Sequence, residues 1–107
     1  MPEKETRHAY YRLYAFVDNN MLRDGWGRDR IMSKINALGV PCFSGSCPEI
    51  YDEKAFESAG LRPDHPLPNA AALGPESLAF LVHPTLTADD VQRTCNAIAT
   101  VLSAATR

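Results

Sequence analysis

The chain has 107 residues, 45% of them hydrophobic and 22% charged, with a formal net charge of −2. That length suits a single domain with one core, and the lack of any long lysine or arginine block argues against a surface built to neutralise nucleic-acid phosphates. No apolar run approaches the roughly 20 residues needed to cross a bilayer. The leader MPEKETRHAYY carries charges without an apolar stretch behind them, unlike a signal peptide, so a cytoplasmic protein is expected.

The three cysteines, Cys42, Cys47 and Cys95, are an odd number at spacings that match no secreted disulfide framework. Cys42 and Cys47 have no second cysteine or histidine pair to complete a zinc site. Buried or half-buried thiols packed as small hydrophobes are the expectation.

In chain order, residues 8–18 (HAYYRLYAFVD) are aromatic and β-branched and predict a strand. His8, Tyr10, Arg12, Tyr14 and Phe16 share one face. Ala9, Tyr11, Leu13, Ala15 and Val17 share the other. Apolar bulk on both faces points to a central strand, and Asp18-Asn19-Asn20 to a turn after it. Residues 27–38 predict a helix with Ile31, Ile35 and Leu38 as its core stripe and Met32 beside it. Its first turns are polar at Arg28, Asp29 and Arg30, and Gly39 stands where a left-handed cap wants glycine. Residues 40–43 read as a short extended segment, which Pro41 restricts to an edge or a strand start.

From Ser44 to Pro68 the chain is interrupted by prolines and glycine, with a short helix expected near 52–59. One or two helical turns over 69–74 end at Gly74-Pro75, and Leu78 to His83 form an apolar run bounded by turns, as a buried strand does. The final helix has Thr87 as N-cap, Asp90 in the capping-box position, and Asp89 beside it where the helix dipole favours negative charge. Val91, Cys95, Ile98, Val101 and Leu102 recur at helical spacing as its apolar stripe, through residue 103. This order predicts an α+β fold, a small and mainly antiparallel sheet covered by helices.

Three segments carry a resemblance to a known family: HAYYRLYAFV at 8–17, GWGRDRIMSKINALGVPCFSGSCPEIYDEKAF at 25–56, and LPNAAALGPESLAFLVHPTLTADDVQRTC at 67–95. Their succession, above all FSGSCPEIY followed by FLVHPTLT, resembles the C-terminal domain of the DegT/DnrJ/EryC1/StrS sugar aminotransferases. The resemblance implies that residues 1–107 are the small domain of a fold-type I aminotransferase that uses pyridoxal phosphate (PLP). In such a parent the missing N-terminal domain holds the PLP lysine, the acid on the pyridine nitrogen and most phosphate contacts. The parent, a homodimer, moves an amino group from an amino acid, by family habit glutamate, to a nucleotide-linked keto sugar.

The lysines present are Lys4 in the charged leader, Lys34 on a polar helix side and Lys54 in a short surface helix. None suits a lysine that must lose its proton easily in a pocket. No catalytic residue, no metal ligand and no tightly held cofactor is therefore expected in this chain alone.

Substrate contacts are the remaining possibility, and seven residues are candidates. Tyr11 stands where many relatives of that family carry histidine; its phenol can stack and hydrogen-bond, or it is a core aromatic. Arg12 can grip a phosphate or carboxylate, or pair at a sheet edge or domain junction. Ser44, Gly45 and Ser46 can form a small nest for an anion or sugar, or a tight turn. In many relatives a longer His-Tyr/Phe-x-Pro loop occupies this place. Glu49 and Tyr51 can reach the same cleft, or pack the next helix. His83 lacks a carboxylate set beside it in sequence and is expected to be structural, as are His65 and His8. An independent small-molecule-binding or regulatory α+β domain, and a structural interaction module, are the competing readings.

Overall fold

The computed structural model describes Arg7 and residues 9–107. Three strands, β1 (Arg12–Phe16), β2 (Cys42–Ser44) and β3 (Ser77–Leu81), form an antiparallel sheet in the order β1-β3-β2. Helices α1 (Arg28–Ala37) and α4 (Ala88–Ala105) contribute to the core on one face of this sheet. Short helices α2 (Lys54–Ser58) and α3 (Pro68–Leu73) punctuate the long connection between β2 and β3. The expected α+β architecture is the one observed.

The core forms where the two helices meet the inner sheet face. Ile31 and Ile35 of α1 are almost wholly enclosed, as their i, i+4 spacing requires of one helix face. They cluster with Cys42, Leu78, Phe80 and Val17 from the sheet and its continuation, and with Ala97, Val101 and Ala105 of α4. Gly39 takes a φ of 80° immediately after α1, the left-handed turn its position predicted.

The central strand is β3, not β1. Four of its five residues are buried, while β1 sits at an edge with Leu13, Tyr14 and Phe16 partly in water. The bulk on both faces of β1 therefore does not reflect a neighbour on each side. His8, in the predicted start of this strand, lies outside the described residues, and so does Lys4.

The helix stripe of α4 also lies elsewhere than its large residues suggest. Its buried face is Ala97, Val101 and Ala105, and α4 packs chiefly on α1; Ile98 is half-buried, and Val91, Cys95 and Leu102 are exposed. Ile98 and Leu102 border a gap shared with Leu78 and Phe80 of β3. Leu38, expected in the core, is likewise exposed at the end of α1. Of the thiols only Cys42 is buried; Cys47 and Cys95 are exposed.

Side chains fasten the remaining ends. Asn36 of α1 donates to the Cys42 carbonyl at 2.8 Å and accepts the Cys42 amide at 3.1 Å. It thereby supplies β2 with bonds that a further strand would otherwise give. The chain end is held on residues 21–23, with Arg107 Nε donating to the Leu22 carbonyl at 2.8 Å and the Arg23 amide to the Ala105 carbonyl at 2.8 Å. No helix among the described residues is long and apolar enough to cross a membrane.

Replacing Ile31 by Ala is expected to cost about 2–5 kcal/mol in denaturant unfolding. Val91→Ala, on the exposed flank of α4, is expected to cost within about 0.5 kcal/mol. A reversed ranking would show that the core lies on the other side of the helix. The Thr87–Asp90 capping box adds a pH dependence. The Thr87 amide and hydroxyl both donate to the Asp90 carboxylate and hold its pKa below the ordinary value. Its stabilisation is thus complete above about pH 4, the unfolded range, and is lost as pH falls through the lowered folded value. Asp90→Asn should flatten the fall of Tm in that acid window.

Candidate functional site

At one end of the sheet three segments meet: the start of β3, the loop 45–49 leaving β2, and the turn 74–76 after α3. Ser77, the buried polar residue at their junction, ties them together. Its hydroxyl donates to the Gly74 carbonyl at 2.9 Å and accepts the Gly45 amide at 3.1 Å. Its own carbonyl accepts from Arg28 Nη1 at 3.1 Å, which brings the first residue of α1 to the same point.

Two glycines are needed for this approach. A Cβ on Gly45 would stand 2.6 Å from the Ser77 hydroxyl oxygen, and one on Gly74 would stand 2.5 Å from Pro48 Cγ. Both separations are below any ordinary contact, so the three segments can close together only without those side chains.

The 45–48 loop is consequently a thin wall with a cleft on each side. One cleft, of about 290 Å³, has Tyr14, Phe16, Ala70 and Leu73 opposite the loop and is apolar. The other, of about 510 Å³, has Arg28, Ser44 and Glu49 on its rim and is polar. Ser46 borders both, and its hydroxyl shares a 2.8 Å hydrogen bond with the Tyr14 phenol.

Arg28 is the cation of the polar cleft. Its side chain is 17% exposed. Nε lies 2.6 Å from the exposed Asp29 carboxylate but outside hydrogen-bond geometry, and so has no hydrogen-bond partner. The contact is Coulombic, and the water around Asp29 keeps it weak. The same guanidinium lowers the pKa of the Cys42 thiol, although burial outweighs it and leaves that thiol above its usual value. Cys42 is thus a protonated core residue without the thiolate character of a nucleophile.

The structure brings together Ser44, Gly45, Ser46 and Glu49; Tyr51 touches this group through Glu49 alone, and Tyr11 and Arg12 stand apart from it. Tyr51 turns away from the clefts: its phenol donates to the Glu49 carboxylate at 2.6 Å and accepts the Leu67 amide at 2.8 Å. Glu49 holds that phenol's pKa above its ordinary value. Tyr51 is a clasp across the irregular stretch, joined by Arg62, which donates to the carbonyls of Tyr51 and Asp52 at 2.9 and 2.8 Å. Tyr11 is 83% exposed rather than packed in the core, with the Arg12 guanidinium 5.6 Å from its ring centre. Arg12 pairs with Leu81 in the sheet, whereas Ser44 pairs with Leu78, three residues away along β3. That separation is about 10 Å.

Sequence reasoning missed Arg28, Tyr14, Gly74 and Ser77. Gly74 had a signal, since a glycine before proline is more than a helix stop when another chain segment must cross it. Ser77 had none, because nothing local marks a serine that will be buried by segments distant in sequence. His83 closes a local turn, with Nδ1 at 2.8 Å from the Thr85 hydroxyl and accepting the Thr85 amide at 3.3 Å.

Among the described residues, the side chains do not fit a covalently held PLP. Lys34 and Lys54 are exposed on α1 and α2, and neither borders the two clefts. A lysine that captures an aldehyde sits in a desolvating pocket or beside another cation, and neither of these exposed positions offers one. Among the described residues, no cluster of three or more metal-ligating side chains is present either.

Two outcomes are expected. Treating the chain with PLP and then borohydride should leave no single lysine stoichiometrically labelled; one fully labelled lysine would contradict the account. Ser77→Ala should cost about 1–3 kcal/mol, the penalty for leaving buried partners unpaired. Gly45→Ala should cost at least as much through its clash. Unfolding in urea measures both.

No protein-family model and no curated protein matches the chain. Among solved structures, an aminotransferase from Psychrobacter cryohalolentis is similar to it, with 55% sequence identity and a TM-score of 0.86. The similarity covers 92% of this chain and 25% of that one, so the chain spans about a quarter of the length of the enzyme it matches. The fold described above is accordingly that of a small domain of an aminotransferase.

Proposed function

We propose that this chain is the C-terminal, substrate-side domain of a PLP-dependent aminotransferase of the DegT type, and that it does not transfer amino groups alone. The observation carrying this reading is the match over 92% of the chain to one quarter of an aminotransferase. PLP supplies the electron sink for amino transfer. An N-terminal domain of such an enzyme provides its lysine, and the assembled enzyme is a homodimer. The acceptor is a nucleotide-linked keto sugar and the donor an amino acid, glutamate by the habit of the resembling family.

The residues of this chain would bind and orient. Arg28 offers guanidinium donors on the polar cleft, Ser44 and Ser46 offer hydroxyls, and Glu49 offers a carboxylate acceptor. Donors and an acceptor around one cleft suit a polyhydroxylated ligand better than a simple anion, because Glu49 would repel the latter. Holding a sugar in register with a distant reacting centre can contribute several kcal/mol to the barrier without any bond-making.

In the full-length enzyme, Ser44→Ala with Ser46→Ala is expected to lower kcat/KM for the keto sugar by about 1–3 kcal/mol in transition-state binding. The half-reaction with the amino donor should change much less. Equal losses in both halves would point to damaged folding, and no loss in either would remove this loop from the substrate site.

A further inference from the structure

The inner sheet face is covered by α1 and α4, but the outer face is apolar and open. Phe43, Ala79 and Tyr14 stand side by side across β2, β3 and β1 by register. Ala79 is completely buried, while the two aromatics beside it remain 45% and 42% exposed. Phe16 and Leu81 extend the same face at 56% and 47% exposure. An antiparallel sheet face that stays in water alternates to polar residues. Here the polar members are Arg12 at one corner and Ser77, which is buried. Aromatic residues gathered on an open face are the composition of an interface centre.

We propose that this outer face is the docking surface for the larger, cofactor-bearing portion of the aminotransferase. The inference rests on the proposed function, and the occupant follows from length: the matched quarter of the solved enzyme leaves three quarters of that chain outside it. The face is also continuous with the apolar cleft, since Tyr14 and Phe16 belong to both. A partner seated on it would close that cleft and put its own side chains against Ser46. The flank of α4 is the rival surface. It is aliphatic, carrying Val91 and Leu102, and lacks an aromatic centre.

The test compares the isolated chain with a hybrid in which it replaces the matched quarter of the Psychrobacter cryohalolentis enzyme. Phe16→Thr and Phe43→Thr keep strand preference while removing the aromatic surface. Each should shift the Tm of the isolated chain by less than about 2 °C, as exposed sites do, yet lower that of the hybrid by roughly 4 °C or more. Equal small shifts in both would overturn the proposal. So would a fall in hybrid Tm confined to Val91→Ser and Leu102→Ser. Sedimentation of the isolated chain provides an independent check: a dimer that Phe43→Thr dissolves would make a second copy the occupant and contradict the proposal. A hybrid that cannot fold although the isolated chain does would instead defeat the functional reading beneath it.

Discussion

Ser77 is where the architecture and the candidate site become one problem. A buried hydroxyl must satisfy its hydrogen bonds inside the protein or lose free energy comparable to its desolvation. Here the Gly45 amide and the Gly74 carbonyl satisfy it, and the Arg28 guanidinium binds the carbonyl of the same residue. Three parts of the chain far apart in sequence, at Arg28, Gly45 and residues 74–77, are thereby held at one end of a three-stranded sheet. Within the long connection from β2 to β3, Tyr51 and Arg62 form clasps of their own. The serine junction and the Tyr14–Ser46 bond are what fasten the 45–48 wall to the sheet.

The sheet is finished on one side only. Small residues of α4 and the paired isoleucines of α1 form a closely packed inner layer. Tyr14, Phe16 and Phe43 on the outer layer have no such cover. A domain that folds around its inner face and offers its outer face for assembly separates stability from function. Inner-face changes act on folding, outer-face changes on what the domain joins. The open clefts fit this division, since a wall bordered by solvent becomes a pocket only when a second surface faces it.

Local signals were legible wherever local physics decides. The Thr87–Asp90 capping box, the Gly39 turn and the Ile31–Ile35 stripe each follow from neighbours within four residues, and each is observed; of the apolar run 78–83, residues 78–80 are buried and 81–83 are exposed. Failures came where the outcome depends on distant packing. Large apolar residues on α4 outrank alanines on any hydrophobicity scale, yet Ala97 and Ala105 are buried, in a helix that packs chiefly on α1, while Val91 and Leu102 are exposed. Tyr11 and Arg12 were open between a cleft and a core or edge role; register sets Arg12 at the end of the sheet away from Ser77, and Tyr11 is exposed. The Ser44–Glu49 loop was found through its composition, whereas Ser77 and Arg28 owe their roles to segments more than thirty residues away.

The central claim is that this domain completes an aminotransferase rather than acting by itself. Amino transfer by the Psychrobacter cryohalolentis hybrid, followed through the absorbance of its bound PLP, tests that claim most directly. The account predicts that the isolated chain is inert and that the hybrid cycles between amino donor and keto acceptor. A folded hybrid that binds PLP but transfers no amino group, or transfer by the isolated chain, would contradict it.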